Sequence, residues 1–187
     1  MKILIAISSK EYSGSTLGLG MKVASALKAS TTIVDVGEKI NEFGSKDVNI
    51  VNQLIETWDF DRPGVDVLEW AHDFLAKNNF IEIKADQSQL LKNKLIESET
   101  DRAEVFLKGK VGNNLSLILR NGDIIGELRS EVELGGYNIT IIGGSKKRSM
   151  SHDLIQYINS SIFIVKNYNP RNEYELLVVI DESPNIK

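Results

Sequence analysis

Apolar residues recur along this chain in two rhythms, and the alternation of those rhythms predicts its architecture. Lys2-Ile3-Leu4-Ile5-Ala6-Ile7-Ser8 is almost continuously apolar, which suits a parallel strand buried on both faces. A polar loop, Ser9 to Gly14, leads to Ser15 or Thr16 as N-cap, after which Leu17, Met21, Ala24 and Leu27 recur at helical spacing. Gly18 and Gly20 weaken that helix and suggest close packing on a sheet. Thr31 to Val36 is β-branched and predicts a second strand, completing a β-α-β unit.

The middle of the chain is less regular. Ser45 caps a segment in which Val51, Leu54, Ile55 and Trp58 share one face. Asp61 with Pro63 opens another helix carrying Val67, Leu68, Ala71, Phe74 and Leu75. Phe80-Ile81-Glu82-Ile83 alternates as a strand does, while Leu90, Leu91, Leu95 and Ile96 suggest a helix begun near Asp86. Glu104 to Val111 and Leu115 to Leu119 are β-type runs joined by Gly112-Asn113-Asn114, the chemistry of a tight hairpin.

Regular alternation then returns. Asp123 is placed to cap a helix with Ile124, Leu128 and Val132 on one face, and Gly135-Gly136 ends it. A buried strand, Asn138 to Gly143, runs into Gly144 and a basic loop, followed by a helix from about Ser149 to Asn159 with Leu154, Ile155 and Ile158 inward. Ile162 to Val165 is one more strand. The whole predicts an α/β, Rossmann-like, doubly wound and mostly parallel five-stranded sheet with an inserted β-hairpin and an extra C-terminal strand. Residues 1–166 form the domain, and residues 167–187 a linker plus strand. Glu175 to Pro184 resembles the opening strand written a second time. It reads either as the start of a second repeat or as a terminal strand for a sheet edge or a partner.

Composition narrows the function classes. With 187 residues and a net charge of -4, the chain has no electrostatic pull toward nucleic acid or anionic membrane. It has no Cys, which removes disulfides, zinc-thiolate sites and a Cys nucleophile and fits a reducing, cytoplasmic setting. Only His72 and His152 are present, each next to an Asp on a helix, and neighbours in one helical turn do not aim at each other as a catalytic triad requires. Trp58 and Trp70 suit core or interface packing, because a nucleic-acid stacking surface needs basic neighbours that they lack.

Four segments give the chain a resemblance to the universal stress protein family. They are Lys2 to Ser8 with its small-residue loop and helix, Asn121-Gly122-Asp123-Ile124-Ile125, Tyr137 to Gly143, and Ser149 through Val165. The resemblance spans roughly residues 1–166. It implies a domain that is usually dimeric and that in some members binds ATP or AMP. Those members resemble one another in an Asp ending the first strand and in a loop of the form Gly-x2-Gly-x9-Gly-Ser/Thr. Here Ser8 holds the position of that Asp, Gly143 matches the first glycine, Lys146 stands where the second belongs and Arg148 takes the place of the third. The loop is much shorter than the family's.

The candidate nucleotide-binding residues are therefore Ser8, Gly143, Gly144, Ser145, Lys146, Lys147, Arg148 and Ser149. Three cations beside two hydroxyls at a helix start can hold a phosphate by charge and hydrogen bonds, and a triplet of this kind also occurs as a solvated surface turn. The expectation is a non-enzymatic regulatory or binding domain with a weak or lost phosphate site, acting as a homodimer or beside a second domain of the same type. The alternative is an ATP-hydrolysing enzyme of the same superfamily, for which Asp35, Asp123 or Asp181 would hold the metal.

Overall fold

A computed structural model describes residues 1–39, 63–82, 96–99, 102–110, 114–144, 154–169 and 171–172. In chain order these form β1 (Lys2–Ile7), α1 (Gly14–Ala26), β2 (Ser30–Gly37), α2 (Val65–Lys77), β3 (Ile96–Glu99), β4 (Arg102–Lys108), β5 (Asn114–Asn121), α3 (Ile124–Gly135), β6 (Ile139–Gly143) and β7 (Ser161–Val165). Residues 154–157 add a helical turn before β7. Among the described residues the strands make one seven-stranded sheet in the order β3-β4-β5-β2-β1-β6-β7. The five from β5 to β7 are parallel, and β3 and β4 run antiparallel at one side.

The parallel core is therefore doubly wound, with the order reversing between β1 and β6. The expected hairpin is β4–β5, and its second strand doubles as an outer strand of the parallel sheet through the pairing of Ile33 with Leu117. Both faces are apolar. On one, Ile3, Ile5, Ile33, Leu117 and Leu119 pack under α1 and α2. On the other, Leu4, Val34, Ile118 and Ile142 meet Leu128 and Val132 of α3 and Leu154. Strands buried on both faces need an unbroken apolar run, which is what made β1 and β6 legible.

Local chemistry follows the sequence at several points. Asp123 caps α3 by accepting from the Gly126 amide at 2.9 Å, and Gly136 closes the helix with φ 62° in the left-handed region that glycine adopts without strain. A Cβ on Gly20 would lie 2.8 Å from Ile5 Cδ1, so α1 sits directly on β1.

Other expectations are corrected. The N-cap of α1 is Ser13, not Ser15 or Thr16, because the helix already starts at Gly14. Leu27, Ile124 and Ile155 are exposed rather than inward. Of the strand expected at residues 80–83, the described part makes an isolated bridge, Ile81 to Gly109. Ile96 does not end a helix: its backbone pairs antiparallel with Glu104 on the open side of β4. The helix expected around Val51 to Trp58, most of the segment assigned to Asp86 through Leu95, and the strand from Glu175 lie outside the described residues. The start of the expected linker is tied down. Tyr168 packs on the α1 face of the core, its carbonyl accepts from Ser15 Oγ at 3.1 Å and its hydroxyl from Lys22 Nζ at 3.0 Å.

Candidate functional site

In an open parallel sheet the strand order creates a crevice where it reverses, at the carboxyl ends of the flanking strands. Here that place lies between β1 and β6, which brings Ser8, Gly143 and Gly144 to one edge beside the start of α1. Ser145, Lys146, Lys147, Arg148 and Ser149 lie outside the described residues.

The backbone amides at this edge are already engaged. Ser8 and Ser9 both donate to Ser13 Oγ, at 3.0 and 3.2 Å, and Gly144 donates to the Val165 carbonyl at 2.7 Å. Because the Ser13 hydroxyl faces back along the loop, it gives α1 no side-chain cap. Among the described residues the helix start thus keeps first-turn amides without a side-chain acceptor, together with the positive end of the helix dipole. The two glycines also have a packing reason. A Cβ on Gly143 would lie 3.0 Å from Thr16 Oγ1, and one on Gly144 would lie 3.1 Å from Lys166 Cβ.

Of the carboxylates considered as metal ligands, the two described ones, Asp35 and Asp123, lie at the ends of other strands. Asp123 is spent as the cap of α3. Asp35, two residues before the end of β2, is 2% exposed. Burial, and then the nearby charge of Asp66, push its carboxyl up to about 7, against a smaller opposing bond from the Val36 amide. It lies under the entry to α2, where a Cβ on Gly64 would come 2.6 Å from Asp35 Oδ2. Asp181 is outside the described residues, and among those described no group of three His, Asp or Glu side chains could hold a metal.

Two polar assemblies were missed in the sequence. Asn121, at the end of β5, donates to the carbonyls of Glu38 and Pro63, both at 3.0 Å, and so joins the two described ends of the β2–α2 connection. On the α3 face, Glu131 is 1% exposed. Its Oε2 accepts from Arg120 at 2.9 Å and Arg102 at 3.1 Å, while its Oε1 accepts from the Tyr137 hydroxyl at 3.0 Å. Burial first, with Glu131 adding to it, raises the Tyr137 hydroxyl well above the ordinary tyrosine range. A carboxylate buried in this way needs such partners. The signal was available: Glu131 falls on the apolar face of α3 between Leu128 and Val132, and Arg120 ends an apolar strand.

No family model matches the sequence, and no curated protein does. Solved structures do match. A universal stress protein from Lactobacillus plantarum is similar over 88% of this chain and 97% of its own, at 9% identity and a TM-score of 0.51. A universal stress family protein from Arabidopsis thaliana with AMP bound covers 89% and 91%, at 10% identity and 0.52. The hypothetical protein MJ0577 covers 90% and 96%, at 15% identity and 0.52. The chain has the α/β fold of the universal stress proteins. At these identities the likeness speaks for the fold and leaves the ligand open.

Proposed function

We propose that the chain is a universal-stress-type regulatory or binding domain, not an enzyme, whose nucleotide-phosphate site at the β1–β6 crevice is weak or lost. One observation carries this reading: the Ser8, Ser9 and Gly144 amides, which a phosphate would need at the strand ends, are bonded within the protein. Ser8 in place of a carboxylate supports it from the other side of the crevice. What attraction remains would come from the first turn of α1 and from Lys146, Lys147 and Arg148. We place the domain in the cytoplasm and propose that it pairs with a second copy through β7, an edge strand among the described residues.

Calorimetric titration of ATP and AMP tests the site. The expected result is a dissociation constant of about 1 mM or weaker for the wild type, and weaker still after joint replacement of Lys146, Lys147 and Arg148 by Ala. Micromolar binding by the wild type would overturn the reading, and equal binding by both proteins would remove the basic loop from it.

A further inference from the structure

A second concavity lies at the other end of the sheet, where β2 and β5 begin. It is a groove of about 420 Å³ between the last turn of α3 and the outer strands. Its floor is set by register. Thr32 pairs with Ser116, and Ser116 with Phe106, so these three occupy one row across β2, β5 and β4. On β4, side chains alternate, so Ala103 and Val105 enter the core while Arg102, Glu104 and Phe106 take the opposite, groove-lining face. Glu131 and Leu134 of α3 form the wall.

Three features of this groove constrain its ligand. Its charges balance, Lys2 and Arg102 against Glu104 and Glu131, and the arginine is already bonded to both acids. A phosphate or carboxylate entering it would meet Glu104 without a surplus of cations, so the groove does not suit an anion. Its hydrogen-bonding capacity is mixed. The Thr32 and Ser116 hydroxyls bond each other at 3.2 Å and Thr32 also bonds Tyr137, so what they offer a ligand is their remaining acceptor capacity, while Glu104 commits Oε2 to Arg102, leaving Oε1 without a partner among the described residues. A carboxylate oxygen in that setting accepts strongly from hydroxyls. Its lips are apolar: Phe106 is 72% exposed and Leu134 74%, an arrangement that folding alone does not require.

We propose that this groove binds a neutral, polyhydroxylated ligand of the pyranose class, with the C–H face of one ring on Phe106 and its hydroxyls on Glu104, Ser116 and Thr32. A sugar ring offers both an apolar face and a rim of hydroxyls, matching the aromatic lip and the mixed floor. The volume is within the range of small-molecule sites. This proposal is independent of the crevice beside Gly143 and would stand if nucleotide binding there failed.

The test is an amide-shift titration of the isotope-labelled full chain with glucose and maltose, each to roughly 50 mM, since millimolar affinities are sought. Adenosine and inorganic phosphate serve as the other arms. Shifts should concentrate at Thr32, Glu104, Phe106 and Ser116 and spare Gly143. Phe106→Ala and Glu104→Gln should each weaken binding by about tenfold or more, and Phe106→Ala should keep its fold because the side chain is exposed. Absence of shifts with both sugars overturns the proposal. So do shifts unchanged in Phe106→Ala, or a response to adenosine or phosphate alone.

Discussion

Asp35 sits in an environment that its charged form disfavours. A carboxyl held at about 7, against 3.8 for the ordinary group, is protonated in the fold and ionised in the unfolded chain across the interval between them. The native state then binds more protons, so the contribution of this group to stability is full below about pH 4, falls as pH rises toward 7, and levels off above it. Asp35→Asn removes the titration while keeping the shape. The variant should match the wild type near pH 4 and exceed it by roughly 4 kcal/mol at about pH 8, measured by urea unfolding across pH. A difference that stays constant with pH would refute this account. The sequence did mark Asp35, but as a metal ligand. A carboxylate at a strand end reads that way until its burial and the approach of Gly64 are known, and both depend on how α2 docks.

At the scale of elements, the Glu131 assembly ties the antiparallel side of the sheet to α3, beyond the backbone ladder that joins β4 to β5. Arg102 belongs to β4, Arg120 to β5, Glu131 to α3, and Tyr137 to the turn before β6, so one carboxylate links three elements and a turn. Glu131→Gln keeps the volume and removes the charge that two guanidinium groups share, leaving Arg102 with Glu104 at 2.9 Å and Arg120 with Glu127 at 2.7 Å. Stability should fall by about 2–3 kcal/mol in denaturant unfolding, because each arginine retains one carboxylate, with amide exchange of β4 accelerated before that of β1. Replacing Arg129, whose 2.8 Å pair with Glu133 is exposed, should cause no measurable change. Equal effects of the two substitutions would mean that the buried assembly contributes nothing special. Which elements exist was largely legible, because β1, β2, α3 and β6 carry strong local periods and α3 carries its own cap and stop signals. Where β3 lies was not. A four-residue edge strand is defined by the open backbone of β4 rather than by a pattern of its own. Ile155, similarly, fits the helical spacing of Leu154 and Ile158, yet a side chain one position along turns outward.

For the molecule as a whole, a buried strand stopping at Gly143-Gly144 was enough to mark that corner in the sequence, while the reversal of strand order between β1 and β6 that makes it a crevice comes from the sheet itself. Whether that crevice still accepts a phosphate could not be read from residue types, because it turns on which amides are already bonded, and the Ser13 hydroxyl decides that for two of them. The outermost parallel strand raises the remaining question of assembly. β7 pairs with β6 along one side, while Phe163 is 41% and Ile164 40% exposed. Edge strands normally carry charge or are covered, since an apolar one recruits another strand. Two copies pairing antiparallel through β7 would satisfy the backbone groups it leaves unpaired among the described residues and shield both side chains in a closed twofold arrangement. The wild type should therefore sediment as a dimer at micromolar concentration. Ile164→Lys, which adds a charge to the edge without touching the buried Val165, should sediment as a monomer with an unchanged circular dichroism spectrum. A wild type that stays monomeric at the highest soluble concentration, or a variant that still dimerises, would place the partner surface elsewhere.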